Sequence, residues 1–166
     1  DWSSDVCSSD LLACRPDAVF LCPPHEVSAT IAKALLEAGT VVIDLSAAFR
    51  LHAPGDYPAH YGFEHPNADL LPQAVYGLPE FNRDRIAQAD LIACPGCYPT
   101  SVALALKPLA KAGLIRTDRP VIVDSASGVS GAGRSPSQRS LFCEVSFQPY
   151  NALKHRHQPE MRQQTG

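Results

Sequence analysis

Two cysteines stand three positions apart in one turn, Cys94-Pro95-Gly96-Cys97. Leu91, Ile92 and Ala93 before them read as the end of a buried strand, and Pro95 and Gly96 force a turn. Pro99 then suits the first turn of a helix, because it lacks the N–H that would go unpaired there, and Val102, Leu106 and Leu109 follow at helical spacing. This order places Cys97 at a helix start. Free backbone N–H groups and the positive end of the helix dipole favour a thiolate there, and can bring a cysteine pKa from about 8.5 to roughly 3.5–7.5. That is the chemistry of an activated nucleophile. Two other readings stand beside it: a free cysteine is commonly a small buried apolar residue, and CxxC on a strand-to-helix turn is also the arrangement of a thiol–disulfide redox pair.

Other residues could serve the same chemistry. Ser127 to Ser135, SGVSGAGRS, sets three glycines among hydroxyl residues, which allows close backbone approach to a ligand, and Arg134 adds a cation for a carboxylate or phosphate. His155 and His157 alternate around Arg156. In a strand such a pair is more often a surface feature or half a metal site than a catalytic base.

The elements that must position these groups read as α/β. Ala18 to Cys22 fits a buried strand stopped by Pro23-Pro24; a helix follows with Val27, Ile31, Leu35 and Ala38 on one face and Gly39 as its stop. Thr40 to Leu45, apolar and β-branched, reads as an interior parallel strand covered on both faces. Strand, helix, strand indicates a right-handed crossover in a parallel sheet. Ligands of such sheets bind at the C-terminal strand ends, which puts Pro23, Pro24, His25, Ser46 and Arg50 beside a ligand, although His25 fits a helix-capping surface role equally.

His52 to Glu80, rich in Pro, Gly, Tyr and His, reads as a long packed excursion held by Tyr57, Tyr61, Phe63 and Tyr76. Asn82 then suits the cap of a short helix, Arg83 to Ala89. Val121 to Ser127 and Leu141 to Phe147 read as further strands, and Lys154 to Gly166 shows no closing element. Asp1 to Leu11 has neither periodicity, resembles translated adapter sequence, and is expected to lie outside the fold.

With 166 residues and 45% hydrophobic content the chain can bury the core of one domain or parts of two. A formal charge of −3 gives no reason to expect nucleic acid or an anionic membrane as partner. No apolar run approaches a membrane span and nothing at the start looks like a signal peptide, so a cytoplasmic location is expected. Six cysteines at irregular spacing read as thiols rather than a disulfide framework.

Six strings carry a family resemblance: Val19 to Ala29 (VFLCPPHEVSA), Val42 to Leu51 (VIDLSAAFRL), Ala74 to Glu80 (AVYGLPE), Ala93 to Thr100 (ACPGCYPT), Ser127 to Arg134 (SGVSGAGR) and His155 to Glu160 (HRHQPE). In this order, over Asp17 to Gln163, they resemble the N-acetyl-γ-glutamyl-phosphate reductase family, the NADPH-dependent semialdehyde dehydrogenases of arginine biosynthesis. The resemblance implies a partial Rossmann-like parallel-sheet domain at residues 12–95, with its Gly-rich phosphate loop lying before residue 12. The first part of an α+β catalytic domain would follow at 96–166. It implies Cys97 as nucleophile and His155 as acid/base, with His157 the second choice. Pro23, His25, Ser46, Ser130, Gly131 and Gly133 would approach NADP, and Arg50 and Arg134 a substrate anion. No metal is implied. The partner would be a small acyl phosphate, and the full-length protein a homo-oligomer. Ala48, Glu26 and Ser101 depart from the family's common Asp, Gly and Ala. Aspartyl- or aminoadipyl-phosphate reductases of the same fold, and a thiol–disulfide oxidoreductase using Cys94 and Cys97, are the alternatives; the chain by itself is expected to be inactive.

Overall fold

The computed structural model describes residues 8–133, 135–141, 143 and 146–166. Four short strands form one sheet: β1 (Ala18–Leu21), β2 (Val41–Asp44), β3 (Val75–Tyr76) and β4 (Leu91–Ala93). They lie in the order β1-β2-β4-β3, and every pair is parallel. Leu21, Asp44, Ala93 and Tyr76 share one register row at the C-terminal end. Residues following any strand therefore emerge along one edge.

Helix α2 (His25–Glu37) connects β1 to β2, and Gly39, at φ +81°, turns the chain back as its position predicts. Its buried face is Ser28, Ala29, Ala32 and Leu35, whereas Val27 is 46% exposed. The helix is thus rotated from the expected Val27–Ile31–Leu35–Ala38 face, because the small Ala29 and Ala32 permit close approach to the sheet. Val19, Leu21, Val42, Leu91 and Ala93 meet these residues in one core.

The excursion packs on the same core. Tyr57, the second residue of the short helix α3 (Asp56–Tyr61), is fully buried, and its hydroxyl exchanges hydrogen bonds with both backbone groups of Leu51 at 3.1 and 3.2 Å. Asn67 Nδ2 donates to Ala29 O at 2.8 Å, fastening the segment to α2. With α2 and the excursion on one face, the alternate row of the sheet is left open among the described residues: Phe20 is 67% exposed, and Val41 and Ile43 are half-buried. β2 is interior to the sheet, but the expected cover on both faces is not there.

Helix α4 begins at Pro79 and runs to Ile86, earlier than the Asn82 cap predicts; Asn82 is a non-helical kink whose Nδ2 donates to Tyr76 O at 2.9 Å. Helix α5 (Cys97–Lys111) starts on Cys97 itself, one residue past Gly96, at the end of β4. It buries Tyr98, Pro99, Val102 and Ala103, while Leu109, expected on that face, is 44% exposed.

Other expectations are overturned. Val121 to Ser127 forms no strand, and Ile122 is 90% exposed, because no neighbouring strand offers it backbone partners. The described residues of Leu141 to Phe147 form none either; Phe142, Glu144 and Val145 lie outside the description. The end of the chain does close, in helix α6 (Gln158–Thr165), with Pro159 and Glu160 in its first turn, and α6 packs against α5. At the other end Ser8–Cys14 forms helix α1, and Leu11 and Leu12 pack on the core. Leu11, expected to lie outside the fold, is therefore packed on it, while Asp1 to Cys7 lie outside the described residues.

Candidate active site

The site grows from the end of β4. Cys94 N–H donates to Asp44 O at 2.8 Å, which continues the β2–β4 ladder by one residue before Pro95 and Gly96 break it. Gly96 is buried and extended, at φ −66° and ψ 157°, and its carbonyl accepts from Thr100 N–H at 3.0 Å and Thr100 Oγ1 at 2.8 Å, closing the first turn of α5. Its N–H donates to Glu160 Oε1 at 2.9 Å. A Cβ at this position would lie 3.0 Å from His157 Cε1 and Nε2 and 3.1 Å from Arg50 Nη1, so only glycine fits without displacing them. Cys97, next in the chain, is exposed at the helix start.

The histidine pair flanks this turn. His157 lies against Gly96, and Tyr98 packs against His155 at 5.2 Å and His157 at 6.0 Å between ring centroids. The two imidazoles are 4.8 Å apart, and His157 N–H donates to His155 Nδ1 at 3.1 Å. In neutral His155 that bond leaves the proton on Nε2. Burial pulls the His157 pKa down to about 4, with His155, Arg50 and Arg156 adding to the effect; His155, half-buried, is lowered by burial and then by Arg156. Tyr150 closes the group, donating to Tyr98 Oη at 2.8 Å and stacking edge-on to His155 at 5.4 Å. Neither histidine belongs to a strand, and among the described residues no group of three or more His, Cys, Asp or Glu could hold a metal.

Arg50, expected to face a substrate anion, is turned inward. It is 8% exposed, Nε donates to Cys94 O at 2.7 Å, Nη2 donates to Leu45 O at 2.8 Å, and Nη1 lies 3.8 Å from Glu160 Oε2. Ser46 is also committed: its N–H and hydroxyl donate to the two carboxylate oxygens of Asp44 at 3.1 and 2.9 Å. Asp44 is fully buried at the end of β2, and burial raises its pKa against the effect of those bonds. Burial also raises the Cys94 thiol, with Asp44 adding to it.

Pro23 is half-buried just beyond β1, and His25 opens α2, where it packs against Phe63 at 5.1 Å and Tyr61 at 5.5 Å without capping the helix. Ser130 and Gly131 are exposed in a 3-10 turn, Val129–Ala132, and the exposed Gly133 follows it; Gly131 N–H donates to Gly128 O and Gly133 N–H to Ser130 O, closing the turn on itself. Arg134 lies outside the described residues.

Glu160 and Asp44 are the buried carboxylates that sequence reasoning missed as site residues. Asp44 looked like one more member of an apolar run. Glu160 stood in a quoted motif, and its position one residue after a proline was the available signal of a helix start.

Two family descriptions match the chain: "Semialdehyde dehydrogenase, NAD binding domain" over residues 7–89, and "Semialdehyde dehydrogenase, dimerisation domain" over residues 97–166. Curated relatives called N-acetyl-gamma-glutamyl-phosphate reductase include one from Salmonella typhi, 48% identical over 166 residues, which is 100% of this chain and 47% of the relative. Another, from Moritella profunda, is 54% identical over 150 residues, 90% of this chain and 45% of that protein. The chain spans less than half the length of these relatives. The two matched descriptions and the exposed cysteine opening α5 lead to one conclusion: the chain belongs to the semialdehyde dehydrogenase family.

Proposed function

We propose that the full-length protein, of the relatives' length and carrying these residues, reduces N-acetyl-L-glutamyl 5-phosphate to N-acetyl-L-glutamate 5-semialdehyde and phosphate in arginine biosynthesis. The observation that carries this reading is Cys97 exposed as the first residue of α5, with the histidine pair packed against the residues on both sides of it. Relatives so named support the choice of acyl phosphate over the aspartyl and aminoadipyl alternatives.

The Cys97 thiolate attacks the acyl carbon; the S–C bond forms, the C–O bond to phosphate breaks, and phosphate leaves with the electron pair. Neutral His155 stabilises the departing phosphate oxygen by a hydrogen bond from Nε2–H, and the one proton the overall reaction consumes is taken up by the phosphate from solvent. NADPH, when bound, supplies the hydride that reduces the thioester. The thiohemiacetal anion on Cys97 then collapses to the aldehyde and returns the thiolate. His157, buried and held neutral, orients His155 through its backbone N–H.

Residues at the strand ends fit the ring portion of a nicotinamide cofactor. Pro23 and the exposed Cys22 and Leu45 lie beyond the adjoining ends of β1 and β2 and leave apolar surface there for a nicotinamide ring. Cys22-Pro23-Pro24-His25 carries no glycine and so offers no backbone cradle for a diphosphate. His25, Ser46, Ser130, Gly131 and Gly133 would contribute further contacts to the cofactor, and Arg134 would meet a substrate anion. The 166 residues alone would not turn over substrate. The dimerisation match supports a homo-oligomer, and five free cysteines among the described residues fit a reducing, cytoplasmic location.

The test is a panel of acyl phosphates with the full-length protein, following NADPH and NADH absorbance. Rapid oxidation of NADPH with N-acetylglutamyl phosphate and little with aspartyl phosphate is expected. The reverse order would assign the protein to a paralogous activity.

A further inference from the structure

Glu160 is 0% exposed, although it sits in the first turn of α6, where a glutamate complements the helix dipole equally well from the surface. Burying a carboxylate is costly unless fixed partners receive it. Here the partners come from three separate parts of the chain. Oε1 accepts from the Gly96 N–H at 2.9 Å and from the Tyr76 hydroxyl at 2.7 Å, and Oε2 lies 3.8 Å from Arg50 Nη1. Arg50 in turn holds Cys94 O at 2.7 Å. Arg50 and Glu160 therefore hold the Cys94–Cys97 turn by two separate hydrogen bonds, at Cys94 O and at the Gly96 N–H, while Thr100 holds the Gly96 carbonyl.

Building on the reading of Cys97 as a nucleophile, we propose that Glu160 is a positioning residue: through the Gly96 N–H it fixes the start of α5, and so the direction in which Cys97 meets the free N–H groups of that turn. The operative element is the carbonyl-type acceptor at Oε1. A negative charge on Glu160 disfavours a neighbouring thiolate. Replacing the acceptor should therefore harm the cysteine, and replacing only the charge should not.

The experiment measures the rate of Cys97 alkylation by iodoacetamide near neutral pH in the full-length protein, by peptide mass spectrometry, with the exposed Cys22 as internal reference. In the parent, Cys97 should react faster than Cys22. Glu160→Ala should slow Cys97 roughly three- to tenfold, as expected on losing one charge-assisted hydrogen bond, and Glu160→Gln, which keeps an oxygen acceptor, should restore most of the rate. Glu160→Met, of similar length and without an oxygen acceptor, replaces the alanine variant if that protein does not fold. Equal effects of Gln and Ala, or unchanged Cys97 rates in folded variants that have merely lost stability, would overturn the proposal. A parent Cys97 no faster than Cys22 would instead overturn the nucleophile reading beneath it.

Discussion

Glu160 and Gly96, 64 positions apart in the chain, share a hydrogen bond of 2.9 Å that ties the first turn of α6 to the residue before Cys97. The other side of Gly96 is just as constrained, since His157 and Arg50 occupy the space where a side chain would begin. The turn is thus set by tertiary contacts from both faces, and the exposed cysteine stands on a rigid base.

Gly96→Ala should destabilise the full-length protein by about 1–3 kcal/mol, the usual cost of forcing an extra methyl into a packed site. The built Cβ would lie 3.0 Å from His157 Nε2 and 3.1 Å from Arg50 Nη1. Urea denaturation reads the change, and an unmoved midpoint would contradict the close packing.

His157 should make stability fall on mild acidification. Burial, then His155, Arg50 and Arg156, hold its pKa at about 4 in the fold, against ~6.5 for a free imidazole. Between those values the unfolded chain binds more protons, so stability drops as pH falls through the window. Burial raises Asp44 and Glu160, which act in the opposite sense: the fold binds their protons more readily, so their contribution declines as pH rises through their own window. The informative quantity is therefore a difference. The parent should lose more stability from about pH 7 to about pH 5 than His157→Gln does, and equal losses would contradict the assignment.

Leu11 packs on the core from α1. Leu11→Ala should lower stability by about 1–2 kcal/mol, less than a fully buried leucine would cost. A thermal midpoint equal to the parent's would contradict the packing of Leu11 on the core.

Local patterns made half of this site legible. Pro95, Gly96 and Pro99 fix a strand-to-helix turn through their own backbone preferences, so Cys97 fell where the sequence indicated. The parallel sheet followed from the β1–α2–β2 pattern for the same reason. What stayed hidden depends on distant partners. Arg50 reads as an open cation until the carbonyls of Leu45 and Cys94 are seen to enclose it. Which face α2 buries depends on Ala29 and Ala32 meeting the sheet, which the larger Val27 obscured. Val121 to Ser127 has strand composition, but composition supplies no neighbouring strand to pair with.

The central claim is that Cys97 alone carries the acyl group. Incubating the full-length protein with N-acetylglutamyl phosphate without NADPH, then digesting it and measuring peptide masses, tests this most directly. The account predicts an N-acetylglutamyl thioester on the Cys97 peptide in the parent and in Cys94→Ala, and none in Cys97→Ser. Acyl transfer to Cys94, or undiminished aldehyde formation by Cys97→Ser once NADPH is added, would contradict it.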